Sequence, residues 1–177
     1  MTHPEALHAL EKAILLVDTR EQDTPRLRAR LAQIGLPFER EKLDFGDYSL
    51  KIPLPCGQEW SLSKIAAVER KMSIDELCQS FLAKSGRFAR EFERAAGSKL
   101  YLLVEGATWE DVLAGNYRTR LHPHALVGFI TAYLVRYNCQ ILFCKARSSG
   151  ELIKNILLRE ARERLEGELE WLETLKP

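Results

Sequence analysis

Short apolar runs alternate with amphipathic segments along most of the chain, and that alternation constrains the fold more than any other feature. "AILLV" (13–17), "KIAAV" (64–68), "KLYLLVE" (99–105) and "CQILFC" (139–144) have the length and apolar content of buried strands rather than core helices. "TPRLRARLAQIG" reads as a helix with Pro25 in its first turn and Gly35 as its stop. "SIDELCQSFLA" reads as a helix capped by Ser73, with Glu76 at capping-box spacing. "GRFAREFERAA", "TWEDVLAG" and the mostly apolar "HPHALVGFITAYLVRY" are further helices. A terminal helix follows, with Gly167 placed to bend it. The leader "MTHPEALHALEK" also has helical character.

"PFEREKL" and "DYSLKI" are two extended segments separated by "DFG", where Gly46 supplies a turn. In the second, Tyr48, Leu50 and Ile52 alternate with Asp47, Ser49 and Lys51, so a half-buried strand is expected, with Asp47 on its polar side. "PLPCGQEW" reads as a loop or hairpin tip. No repeat, low-complexity tract or linker divides the sequence. The expectation is one α/β domain over residues 1–177, a mixed central sheet flanked by helices, with a core over about 13–146 and a terminal helix over 148–175.

Composition matters here mainly for what it excludes. With 46% apolar and 29% charged residues in 177, the chain can fill and cover a core, which excludes disorder. No apolar run nears the roughly 18 residues of a spanning helix, and the amino terminus lacks a signal peptide's basic start and apolar middle. A soluble, intracellular, cytoplasmic protein is expected. The four cysteines (Cys56, Cys78, Cys139, Cys144) show no CxxC spacing, so neither a zinc site nor a disulfide framework is indicated. Net charge is only +1, so any site for a polyanion must come from local clustering.

The local clustering begins at "VDTRE" (17–21), where Asp18, Arg20 and Glu21 crowd the end of an apolar run, the edge where open α/β sheets build their sites. "AAVERKMSID" (66–75) then runs from a strand into a capped helix. Side chains two apart on a strand share a face, so Glu69 and Lys71 point one way, and Val68 and Arg70 the other. If the "GDY" strand lies alongside, Asp47 joins Glu69 as a second hard oxygen ligand, with Asp18 and Glu21 able to add more. Magnesium prefers such a set of carboxylates. An ion held there polarises a phosphoryl oxygen and lowers the pKa of a bound water. Lys71 can position that water or neutralise developing charge. The chemistry implied is phosphodiester hydrolysis.

"VDTRE", "GDY", and "ERK" followed after three residues by an aspartate together resemble the nuclease domain of the XPF family of structure-specific DNA endonucleases, within the PD-(D/E)XK superfamily. The family pattern is GD, a variable stretch, ERK, three residues and D. Gly46, Asp47, Glu69, Arg70, Lys71 and Asp75 fill it. The likeness spans about residues 13–146 and is strongest before residue 95. It implies a restriction-endonuclease-like fold, with Asp47 and Glu69 as metal ligands and Asp18 and Glu21 as further acidic groups at the metal. It also implies Lys71 as catalytic lysine, and Arg20, Arg70 and Asp75 as residues holding the carboxylates. Magnesium or manganese, DNA as substrate, a place in DNA repair and a homodimer paired through the nuclease domain are likewise implied. Members usually carry a tandem helix-hairpin-helix module, for which 177 residues leave no room, so the grip on branched or flapped DNA is expected to come from elsewhere. Alternatives are a catalytically silent DNA-binding or scaffolding subunit, and an RNA nuclease or other metal phosphohydrolase.

Arg87, Arg90 and Arg94 form one helical stripe, and Phe88, Phe92 and Ala95 another. The arginines either hold DNA phosphates or form a solvated face paired with Glu91 and Glu93. His122 and His124 carry no assignment. Trp60 either covers a core edge or meets a base or partner. In the terminal helix Leu158, Leu165, Leu169, Leu172 and Leu175 either pack on the domain, with Leu126, Ile130 and Leu134 as the expected neighbours, or zip to a second subunit.

Overall fold

A computed structural model of the chain describes residues 3–54, 57–137 and 139–174, without the side chains of His3, Ala6 and residues 168–174. Seven strands form one mixed sheet: β1 (Ile14–Asp18), β2 (Phe38–Glu41), β3 (Tyr48–Pro53), β4 (Glu59–Ser61), β5 (Ala66–Lys71), β6 (Lys99–Glu105) and β7 (Gln140–Cys144). The order is β2-β1-β3-β5-β6-β7, with β4 paired to β3. β1 runs parallel to β2 and antiparallel to β3, which is antiparallel to β5, and β5, β6 and β7 are parallel. β1 and β5 therefore end, and β3 begins, at one edge of the sheet.

The helices are α1 (His3–Leu10), α2 (Pro25–Ile34), α3 (Ile74–Leu82), α4 (Arg87–Arg94), α5 (Trp109–Ala114), α6 (Pro123–Tyr137) and α7 (Ala146–Thr174). Strand alternation divides the core in two. Leu15, Val17, Val68 and Leu103 pack with α1, α2 and α7 on one face, through residues such as Leu27, Ile153 and Leu157. Ala67, Leu100, Leu102 and Val104 pack with α3 to α6 on the other, through Leu77, Phe92, Val112 and Ile130. Among the described residues no helix is long and apolar enough to cross a membrane. Cys78 and Cys139 are buried free thiols, which burial pushes up to about 11 and about 12, as expected of inert core groups.

Local signals explain most of the helix ends. The Thr24 side chain accepts from Leu27 N, Pro25 opens α2, and Gly35 closes it at φ 65°. Ser73 likewise accepts from Glu76 N, but the expected capping box does not close, because the Glu76 carboxylate accepts from Met72 N at 2.7 Å instead.

Two further expectations need correction. β3 is not half-buried with a polar side: Ser49 is fully buried and its hydroxyl donates to Ala66 O at 2.8 Å, because β3 is an interior strand covered on both faces. Of the loop and the hairpin tip expected after it, the structure has the hairpin, in which Lys51, Ile52 and Pro53 pair with Ser61, Trp60 and Glu59. Pro55 and Cys56 lie outside the described residues. α7 packs on α1 and α2, not on α6, since Ile153, Leu157, Ala161 and Leu165 join the core on the opposite side of the sheet from Leu126 and Ile130. The side chains of Leu169 and Leu172, and all of Leu175, lie outside the described residues.

Candidate active site

The turn before β3 delivers the first site residue. Gly46 sits at φ 72°, and a Cβ there would come within 2.7 Å of Ala67 Cβ and 3.2 Å of Val68 O, so the turn presses against β5 as only glycine allows. Gly46 N donates to Glu91 Oε1 at 3.0 Å. Asp47 is then clamped between two strands: its N–H donates to Val68 O, and its carbonyl accepts from Asp18 N. Its side-chain Oδ2 accepts from Arg70 N at 2.8 Å.

β5 contributes Glu69 and Lys71 on one face, as alternation requires. Lys71 Nζ donates to Glu69 Oε1 at 2.6 Å and lies 4.8 Å from the Phe88 ring centroid, where the ring face favours a cation. Glu69 is 4% exposed, and its Oε2 is buried with no hydrogen-bond partner. Burial pushes Glu69 up to about 7 against the pull of Lys71, with Glu91 adding to the rise. Asp47 is raised well above the usual carboxylate range, first by burial and then by the charges of Glu69 and Glu21. For Lys71, burial acts downward, but Glu69 outweighs it and the net shift is upward.

Asp47, Glu69 and Lys71 line one cavity of about 390 Å³, together with Arg20, Glu21 and Arg70. Glu21 accepts from Tyr48 Oη at 3.2 Å. Among the residues lining this cavity, five carboxylates meet four cations, and one of those cations, Arg70, turns its guanidinium to Glu105 at 2.5 Å. A buried carboxylate oxygen without a partner, in a cleft short of positive charge, fits a hard divalent cation. Among the described residues, no group of three or more acidic, histidine or cysteine side chains is already gathered to hold one.

Not every expected site residue faces the cavity. Asp18 is fully buried and is not among the lining residues. Its carboxylate accepts two bonds from the Arg20 side chain, at 2.6 and 2.9 Å, one from Arg20 N and one from Leu43 N. Those bonds hold its pKa below the usual range against the opposing effect of burial. It positions Arg20, which does line the cavity. Asp75 does not hold the site carboxylates either: it accepts from Arg118 N, Thr119 N and Thr119 Oγ1 and ties α3 to the loop before α6. Of the arginine stripe, Arg87 lines the cavity, Arg90 does not, and Arg94 Nε donates to Asp44 O at 2.6 Å.

Glu91 lines the cavity and is 7% exposed, yet residue type and motif spacing pass it over. Its signal was positional, since a carboxylate between Phe88 and Phe92 on the buried stripe of α4 needs a polar reason to be there.

A mixed sheet covered by helices on both faces, with two carboxylates and a lysine at the edge where β1 and β5 end, defines a restriction-endonuclease-like fold. The model of the ERCC4 domain family matches residues 17–156, and the chain belongs to that family. Among solved structures it is similar to XPF from Aeropyrum pernix, at 22% identity over 81% of this chain, TM-score 0.56. It is also similar to XPF from Aeropyrum pernix in complex with DNA, at 23% identity over 88%, TM-score 0.55. These are likenesses of fold. The chain spans 59% and 65% of the length of those two. No curated protein matches the chain.

Proposed function

We propose that the chain is a magnesium- or manganese-dependent DNA endonuclease that hydrolyses phosphodiester bonds in branched, flapped or forked DNA. One observation carries the reading: Asp47 and Glu69, 22 positions apart in sequence, line the same cavity beside Lys71, with Glu69 Oε2 unpartnered. Membership of the ERCC4 domain family supports the nuclease class, and the branched substrate rests on the resemblance of its motifs to those of structure-specific enzymes.

Asp47 and Glu69 would hold the divalent ion, with Glu21 as a further oxygen ligand. The ion supplies a polarised phosphoryl oxygen and a more acidic bound water. The Lys71 ammonium, held by Glu69 and near the Phe88 ring, would orient the attacking water and offset the negative charge that builds on the phosphoryl oxygens. Arg70 N orients the Asp47 carboxylate. Arg20, pinned by Asp18, and Arg87 offer guanidinium groups to the phosphates entering the cleft. In place of the expected ligand role, Asp18 is assigned this anchoring role. Two copies are proposed to pair as a homodimer.

The test is cleavage of labelled branched, flapped, linear duplex and single-stranded DNA with each ion. The wild type is expected to cut branched or flapped DNA, and Lys71→Ala to lose at least ~100-fold in rate while binding DNA as the wild type does. If the wild type cuts no DNA with either ion, the nuclease reading falls and a DNA-binding scaffold replaces it.

A further inference from the structure

The other face of β5 carries a second cavity, of about 360 Å³, and Arg70 lines both. Its charge is opposite in character to the first. Arg26, Arg30, Arg70 and Arg147 line it against one carboxylate, Glu105. That carboxylate already pairs with Arg70 at 2.5 Å and Arg30 at 3.4 Å, although its Oε1 accepts no hydrogen bond. Four guanidinium groups around one occupied carboxylate leave a surplus of positive charge, where the first cavity has a deficit.

Burial sharpens the point. The Arg30 side chain is 4% exposed. It donates to Tyr48 Oη at 2.9 Å, but its Nε has no partner, and neither has the Nε of Arg70. Burying a guanidinium with unmet donors opposes folding unless an acceptor arrives. Arg26 and Arg147 stand exposed around the same opening. Arg147 and Ser149 belong to the first turn of the 29-residue α7, whose N-terminal end favours an anion. Guanidinium groups match the paired oxygens of a phosphoryl group.

We infer that this basic cavity binds a phosphoryl group, and, resting on the nuclease reading above, that the group is a backbone phosphate beside the one to be cleaved. Arg70 stands between the two, its backbone fixing Asp47 in one cleft and its side chain lining the next. A strand of DNA crossing the sheet edge would then be gripped on both sides of β5, by a cation site and an anion site that share Arg70. The nuclease domain itself would thereby supply part of the hold on the backbone.

The test uses the double variant Arg26→Ala/Arg147→Ala, both exposed and neither in the catalytic set, with a thermal melt to check folding. In one arm, affinity for branched DNA is measured by fluorescence anisotropy without divalent ions over a salt series. The variant should bind ~10-fold more weakly, with the slope of log affinity on log salt reduced by about 1. In the other arm, inorganic phosphate should raise the Tm of the wild type and leave that of the variant unchanged. Protection by phosphate with an unchanged DNA slope would make free phosphate, rather than DNA, the ligand of the cavity. No difference in either arm overturns the inference. Neither arm needs cleavage, so a protein that binds but never cuts would fail the nuclease reading alone.

Discussion

Glu69 is under opposing pressures. Burial drives its carboxyl up to about 7 from an ordinary 4.5, while Lys71 pulls the other way. Between those two values the folded chain holds more protons than the unfolded chain, so without divalent ions stability is full below about 4.5 and falls as the pH climbs through 7. Denaturant titration in EDTA at pH 5 and pH 8 should show a loss on the order of 2 kcal/mol at the higher pH. Magnesium at ten times its Kd should restore about 1.4 kcal/mol at pH 8, and Glu69→Gln should weaken both responses, leaving the part contributed by Asp47, which is likewise raised by burial. Asp18 behaves in the opposite sense. Asp18→Ala strands Leu43 N and removes the anchor of Arg20, a loss of roughly 3 kcal/mol in metal-free protein. A residue acting only as a ligand would leave that stability unchanged or improved, so the same denaturation curve separates the roles. The pairing of Glu69 with Lys71 was legible because it needs only strand alternation. The anchoring of Asp18 was not, because its partner Leu43 lies 25 residues away in a loop without periodicity.

At the scale of elements, the site depends on how tightly the Gly46 turn meets β5. Gly46→Ala combines a positive φ with a Cβ 2.7 Å from the buried Ala67 Cβ, so either the turn or β5 must move. We expect a loss of roughly 2–3 kcal/mol by thermal or urea denaturation. Because Asp47 follows directly, nicking should fall by at least ~10-fold even where the chain remains folded. Intact activity would mean that the turn relaxes without displacing Asp47. Most elements were readable from apolar runs, caps and prolines, which act within a few residues. Two were not. β4 is three residues long and exists only by pairing to β3. α7 offered apolar positions that fit either side of the sheet, and its neighbours were settled by Ile153, Leu157, Ala161 and Leu165 meeting the core around β1 and β3.

For the whole molecule, the two-sided core decides which face is left for a second copy. The described stretch of α7 is spent on its own domain through Ile153, Leu157, Ala161 and Leu165, so that stretch is a poor candidate for zipping to another subunit. α6 covers the opposite face with Leu126 and Ile130 and turns outward a surface with Val135 84% exposed. From Leu121 to Val135 the sequence has no Asp, Glu, Lys or Arg. A solvent-facing helix normally carries more charge than α6, whose one Lys, Arg, Asp or Glu residue is Arg136 in its last turn, and such a charge-poor surface suits the isologous contact of a two-fold dimer. Sedimentation equilibrium should therefore give twice the 20.3 kDa of one chain, and Val135→Glu should raise the dimer Kd at least ~10-fold, the effect of placing an unpaired charge in an apolar contact. The Val135 side chain lies at the surface, so its replacement should leave the Tm of the single chain unchanged. A wild type that sediments as one chain would remove the dimer, and DNA would then be held by the two cavities of a single domain.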